Sequence, residues 1–308
     1  MKKKILVLYY TQSGQLRNIL DSVVSDIKDE TDIDFAEIKP EQPFSFPWKA
    51  SSFFDAMPES VLMVPSPIQP LPEEVISKDY DLVILGYQPW FLSPSQPTSS
   101  FLQSEYATLL NGKPVVTVVG CRNMWLNGQE RVKELLQKNN AKLVGNIVLV
   151  DTHPNLISLL TVIRWAFKGQ KEPSRFLPAA GVQDEDINNA SRFGKTIFNS
   201  LANNTLPRLQ EALLQDRAIS LKPGLVVLEK RGITNFRKFA PYIRKKGGPG
   251  DPNRKGRVDL FKSLLLTGIF ILSPISTLTA KLQQQLQRKQ LKKAVDYFRG
   301  VTFEEGRL

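Results

Sequence analysis

The hexamer Thr11-Gln12-Ser13-Gly14-Gln15-Leu16 sets two hydroxyl side chains and a glycine between the apolar run Ile5 to Tyr10 and a segment of helical periodicity. Hydroxyls and backbone N–H groups converging on a helix N-terminus suit a phosphate, because the helix dipole favours negative charge and a glycine lets the backbone come close. The same residues also make an ordinary N-cap, so the hexamer alone leaves both readings open. It lacks the Gly-Lys-Ser/Thr ending of a Walker loop and the spaced glycines of a dinucleotide fingerprint. A second stretch, Pro89-Trp90-Phe91-Leu92, combines apolar and aromatic walls with backbone donors, as a flat polycyclic ligand with a polar edge requires. Aromatic residues of a proline-rich loop packed on a sheet would look the same. A third, Gly120-Cys121-Arg122-Asn123-Met124-Trp125, comes after another apolar run, with Gly120, Cys121 and Arg122 as its candidate binding residues.

His153 is the sole histidine. Imidazole titrates near neutral pH and suits proton transfer, with a structural role as the competing reading. Tyr10, with Tyr9 and Tyr87, is an alternative proton carrier. Arg122 is placed either to hold an enolate oxygen or to face solvent. Cys121, the only cysteine, has no cysteine-enzyme motif around it and reads as a small packed residue. A lone cysteine also excludes an intramolecular disulfide framework and argues against structural zinc.

The elements that must position these residues alternate. Ile5–Tyr10, Tyr80–Tyr87, Pro114–Gly120 and Leu143–Val150 read as strands buried on both faces, and Ile33–Ile38 as an outer strand. Helices are expected from Leu16 to Ile27, near 97–110, over Asn127–Asn139, over Leu156–Phe167 and over Asp184–Ala202. Residues 40–72, with eight prolines, read as a long loop. Strand–helix alternation implies a parallel sheet with right-handed crossovers, and five strands in this order suit a doubly wound α/β fold with ligands at the carboxyl ends of its strands. All three loops and His153 fall on that rim. Residues 1–206 form this domain and 207–308 an extension.

Charge is uneven. Residues 1–221 hold 22 Lys and Arg against 24 Asp and Glu, whereas residues 222–299 hold 18 against 4. The overall +11 thus belongs to the extension. Within it Ser263 to Ala280 runs 18 residues without a charge, the lower limit for a membrane span, although six Ser and Thr and Pro274 weaken that reading. A buried core helix, a surface-lying membrane segment and a true span are the competing expectations. The flanking basic clusters favour an anionic leaflet. No nucleic-acid binding is expected, because a basic run beside an apolar one makes a poor phosphate groove. After Met1-Lys2-Lys3-Lys4 the apolar run is too short for a signal peptide, so the expectation is a cytoplasmic protein, at the membrane's inner face if the tail docks.

On these residues the chain resembles the flavodoxin-like family, whose first loop reads Thr/Ser-x-Thr/Ser-Gly-x-Thr and wraps the phosphate of FMN. Thr11, Ser13 and Gly14 match; Leu16 stands where a hydroxyl residue is usual, which removes one phosphate contact. The stretch Gly86 to Ser95 with Phe101-Leu102 is similar to that family's Gly-x-Pro-x-Trp…Phe-Leu loop, with Trp90 directly after Pro89. Start, loops and extension, notably Leu6 to Leu16 and Ile271-Leu-Ser-Pro-Ile275, resemble the dialkylresorcinol condensing enzymes, encoded beside a ketosynthase-like partner. The resemblance implies FMN as cofactor, a lipophilic cyclic dione or quinone-like substrate and a ketosynthase partner. Carbon–carbon condensation of the thiolase type needs a nucleophilic cysteine with histidine partners, which this chain lacks. An aromatase that oxidises a dialkylcyclohexane-1,3-dione to a resorcinol is therefore the leading expectation. An NAD(P)H-dependent quinone or flavin reductase, and an electron carrier or non-catalytic ketosynthase partner, are the alternatives.

Overall fold

Alternate residues of β1 (Lys3–Tyr9) enter opposite cores, Leu6 and Leu8 with Tyr10 on one face and Ile5, Val7 and Tyr9 on the other. This is the period-two burial of a strand covered on both sides, and it explains why the sequence shows a continuous apolar run. The computed structural model describes residues 2–271 and 273–308, with the side chains of 273–278 and 281 outside that description. Of the Ile271–Ile275 motif, only Ile271 has a described side chain.

After β1 come α1 (Gln15–Ser25), β2 (Thr31–Glu37), and the short helices α2 (Ala50–Asp55), α3 (Met57–Leu62) and α4 (Glu73–Ile76). Next are β3 (Leu82–Tyr87), a two-stranded hairpin of β4 (Pro89–Trp90) and β5 (Ser93–Pro94), α5 (Gln96–Phe101), β6 (Pro114–Cys121), α6 (Leu126–Lys138) and β7 (Lys142–Val150). The main sheet is wholly parallel in the order β2-β1-β3-β6-β7. This is the flavodoxin-like doubly wound arrangement, whose strand order reverses between β1 and β3 and leaves a crevice at their carboxyl ends.

One face is covered by α1 and, later in the chain, α9 (Ser191–Ala202), after α7 (Asn155–Lys168) and α8 (Asp184–Asn188). The two covering helices meet so closely that a Cβ at Gly194 would stand 1.9 Å from the Val23 carbonyl oxygen, so only glycine fits there. The helix expected over 184–202 is two helices, with the Arg192 guanidinium donating to the Asn189 carbonyl at the break. The helix expected near 97–110 is also interrupted. Ser104 turns its hydroxyl back onto the Phe101 carbonyl (2.8 Å), and a 3-10 turn over Glu105–Leu110 succeeds it.

The extension is mainly helical: α10 (Leu209–Gln215), α11 (Pro223–Arg244), α12 (Lys255–Phe270), α13 (Ser273–Leu286) and α14 (Arg288–Phe298). Val226, Val227, Leu291 and Phe298 share one apolar core with Leu6, Leu8 and Tyr87 of the sheet. The segment expected to be loop over 40–72 contains α2 and α3, whose Phe54, Met57 and Val61 close a smaller core with Ile233, Ala240, Val258 and Phe261. The fully buried Arg254 reaches Asp55 at 2.6 Å and Glu59 at 2.8 Å across that core. The segment 263–280 divides between the end of α12 and the start of α13. No helix among the described residues is long and apolar enough to cross a membrane.

Candidate functional site

The loop that leaves β1 lines the switch point. Gly14 sits at the N-cap of α1 with φ +84°, a left-handed conformation that favours glycine, and a Cβ added there would meet nothing within 4 Å. Its N–H donates to Thr11 Oγ1 (3.1 Å), which leaves the Thr11 hydroxyl proton free to turn outward. The first N–H groups of α1 lack intrahelical partners by helix geometry, so the space over Gly14 faces a cluster of donors. Gln12 pins the loop from the other side, its amide donating to the Phe44 and Ser45 carbonyls at 3.1 and 3.2 Å. Gln15 and Leu16 turn inward. Gln15 exchanges two hydrogen bonds with the Val182 backbone (3.1 and 3.0 Å), and Leu16 joins the core, so only their backbones face the loop.

The stretch after β3 departs from the expected open aromatic wall. Trp90 is buried edge-on against Tyr10, Phe44 and Trp48 at centroid distances of 5.8, 4.9 and 5.2 Å. Phe91 packs toward Phe53 and, with Leu92, joins the cluster built by the extension. Both adopt positive φ, which turns their side chains off the rim. Pro89 is half-buried and lies by Gly128 of α6, where an added Cβ would stand 3.7 Å from it. The apolar flank next to Gly14 comes instead from α7. The Trp165 ring stands edge-on to Phe46 (6.1 Å), and a Cβ at Gly181 would press on both Trp165 and Gln15.

Past β6, burial and the neighbouring Glu229 carboxylate push the Cys121 thiol above its ordinary range, so it stays protonated. Arg122 is half-buried, which lowers its guanidinium from the ordinary value, with Asp151 and Cys121 opposing; one N–H donates to the Asn155 carbonyl (3.3 Å). The Asp151 N–H donates to the Cys121 and Arg122 carbonyls at 3.1 Å, which ties the end of β7 to this loop.

His153 lies on the same rim. Its Nδ1 is 2.8 Å from Oδ1 of Asp151, whose side chain is fully buried, and its backbone N–H donates to the same oxygen (3.0 Å). In the tautomer whose Nδ1–H donates to Asp151 Oδ1, Nε2 is the ring nitrogen left to accept a proton. Gln183, directly after the Val182 that clasps Gln15, donates its amide to Asp151 Oδ1 (3.5 Å) and to the Gly181 carbonyl (3.0 Å), and so braces the carboxylate that holds the ring. The histidine and the Gly14 loop are thus held by one segment. The tyrosines are not equivalent to it. Tyr10 is buried with its hydroxyl on Gln12, and burial, with Glu37 second, raises its phenol. Tyr87 is not on the rim: it is fully buried, donates to Gln129 Oε1 (2.7 Å), and burial raises it well above the usual value. Tyr9 accepts from Arg17 (2.8 Å).

Among the solved structures similar to this chain is a flavoprotein of Lactobacillus acidophilus NCFM in complex with FMN. It is 20% identical over 47% of this chain and 93% of that one, with a TM-score of 0.38. A flavodoxin from the domain Archaea is 12% identical over 65% and 99% of the two chains (TM-score 0.36), and a flavone reductase 13% identical over 65% and 63% (TM-score 0.35). No protein-family model and no curated protein matches the sequence. The strand order, rather than these distant likenesses, assigns the fold.

Buried polar atoms without partners among the described residues lie on the third loop, just past β7 and on α7: Asn123 Oδ1, Asp151 Oδ2, Ser158 Oγ and Arg164 Nη1. Asn123 Nδ2 donates to Asn155 Oδ1 (3.2 Å) at the start of α7, and the Asp151 N–H to the Arg122 carbonyl (3.1 Å), so these segments are neighbours. Buried polar atoms are rarely left unpaired, and a patch of them beside an open donor loop is what a ligand with a polar edge would complete. An anionic phosphate over Gly14 and a flat ring edge at Asn123 and Asp151 match this donor and acceptor set, so the residues present fit FMN. Asn123 falls in the third loop as the sequence delimits it, whereas sequence reasoning misses Asp151, Ser158 and Gln183. Asp151-x-His153 spacing and the small polar Ser158 and Thr161 in the mainly apolar 156–167 stretch are the available signals. A cavity of about 580 Å³ opens instead beside β7, lined among others by Thr152, Arg192 and Arg217, and contains no residue of the Gly14 loop.

Proposed function

We propose that this chain is an FMN-dependent oxidoreductase that converts a lipophilic dialkylcyclohexane-1,3-dione to the dialkylresorcinol, beside a ketosynthase partner. The observation that carries the reading is the Asp151–His153 pair joined through Gln183 and Val182 to the open, donor-lined loop at Gly14. The substrate class and partner rest on the sequence resemblance and on the absence of a nucleophilic cysteine. Aromatisation removes two hydrogens from the ring, one as a proton and one with its electron pair. FMN, when bound, supplies the hydride acceptor.

The chain's own residues supply the rest. His153 Nε2 takes the proton, and the buried Asp151 carboxylate stabilises the imidazolium that results. Arg122, half-buried on the neighbouring loop after β6, would face the negative charge that develops on the dione oxygen as the proton leaves. The Gly14 loop, with Thr11 and Ser13, holds the phosphate, while Asn123 and Ser158 answer the polar ring edge. Phe46 and Trp165 keep water from that side. A simple electron carrier would have no use for an oriented imidazole.

Two measurements test this. Titration of the purified chain with FMN should show saturable uptake; a chain that takes up none refutes the reading. Anaerobic stopped-flow should then show His153→Ala binding FMN normally but reducing it with the dione about 10²–10⁴-fold more slowly, the usual span for a positioned general base. A mutant as fast as the wild type would make His153 structural.

A further inference from the structure

The last two turns of α12 give little to the core. Val258 and Phe261 are buried and Leu265 leans on the same cluster, but from Lys262 to Ile271 no residue is buried; Leu264, Phe270 and Ile271 are 49%, 46% and 66% exposed. The stretch Leu264-Leu-Leu-Thr-Gly-Ile-Phe-Ile271 is apolar on every side, so no rotation of the helix could hide it against the body. α13 leans on α11 by polar contacts, Arg231 donating to Thr279 Oγ1 (2.9 Å) and Gln283 Oε1 (2.8 Å). Leu282 and Leu286, one turn apart, are left 57% and 78% exposed.

We propose that the α12–α13 hairpin is a membrane-docking element, its apolar end entering the headgroup–acyl boundary of an anionic bilayer without crossing it. Charge selects this occupant. Residues 222–299 carry 18 basic against 4 acidic side chains, and the apolar positions are flanked by Lys262 and by the exposed Arg288, Lys289, Lys292 and Lys293. A protein groove takes one apolar stripe and would leave the rest of an all-apolar helix end in water, whereas fluid hydrocarbon surrounds it. The helix is too short to span, which makes the contact peripheral. This inference does not depend on the flavin reading.

The full chain is to be sedimented with vesicles of phosphatidylcholine alone and of phosphatidylcholine mixed with phosphatidylglycerol. Binding is expected to the mixed vesicles, weakening as salt rises, and not to the neutral ones. The double variant Phe270→Ser, Ile271→Ser should lose on the order of tenfold or more in affinity, because each side chain forfeits its transfer from water. Phe176→Ser, an exposed aromatic outside the hairpin, should bind as the wild type does. Both variants alter exposed positions, so circular dichroism should report unchanged folding. Equal binding to both vesicle types, or binding to neither, overturns the proposal. So does self-association of the wild type in gel filtration that the double variant abolishes, which would assign the hairpin to a second copy of the chain.

Discussion

Glu229 of α11 is the most informative single atom group to perturb. Its carboxyl is fully buried, its Oε1 accepts from the Asn127 N–H (2.8 Å), and the Trp125 and Leu126 N–H groups of the same α6 N-terminus also point at it. Oε2 has no partner. Burial opposes the helix N-terminus and wins, and raises the carboxyl from 4.5 to about 7. A raised carboxyl pKa means the folded state holds the proton where the unfolded chain has released it. The contribution is therefore fully present below about pH 4.5 and is lost as pH rises through about 7. With those two values, about 2–3 kcal/mol of stability disappears between about pH 5 and about pH 8. Glu229→Gln keeps the shape and the Oε1 acceptor but cannot ionise. Urea unfolding of both proteins at the two pH values should show the variant gaining that amount relative to the wild type at the alkaline end. A constant offset between them at both pH values would refute the titration and the burial argument behind it.

Gly14→Val should leave the fold intact and abolish FMN uptake in a fluorescence titration, since a branched residue at φ +84° both strains the turn and fills the space over the loop. Arg254→Ala leaves the buried Glu59 carboxylate with the half-exposed Arg244 as its remaining charge partner among the described residues. It should cost less in urea unfolding than the ~3–5 kcal/mol of a fully broken buried pair, whereas Arg254→Ala with Arg244→Ala should reach that range. Removal of residues 222–308 should give aggregated protein by light scattering, because Val226, Val227, Leu291 and Phe298 leave a shared core open.

Much of the sheet and one end of the site were legible because their causes are local. The continuous apolar runs, the period of α1 and the hydroxyls before Gly14 lie within a few residues of one another. The hidden features depend on partners far along the chain. Nothing near Trp125 announces that its helix will be capped by Glu229, nor near Glu59 that Arg254 will pair with it, nor near Phe91 that α11 and α12 will claim its ring. The reading of 40–72 as loop failed for that reason: α2 and α3 are short helices fixed by the core they close with the extension, not by propensity. Asp151 is the exception, legible in principle from its place two residues before His153.

These distant contacts divide the rim by who positions it. The Gly14 loop and His153 are fixed from within the first 206 residues, through Gln15, Val182 and Gln183. The other two loops are set by the extension. Phe91 and Leu92 are drawn into its core, and Gly232 of α11 meets Leu92 so closely that an added Cβ would stand 2.9 Å from it. The third loop runs into α6, whose N-terminus Glu229 holds. A helix that carries the cap of one loop and the packing surface of another couples them, so a shift of α11 along its axis would move both while leaving the donor cluster at Gly14 in place. The end of the candidate site at Gly14 is therefore built into the sheet, and the other two loops are built by the extension. Under the proposed function that division would let the extension tune the substrate end of a common α/β frame without altering the loop on which the cofactor would depend.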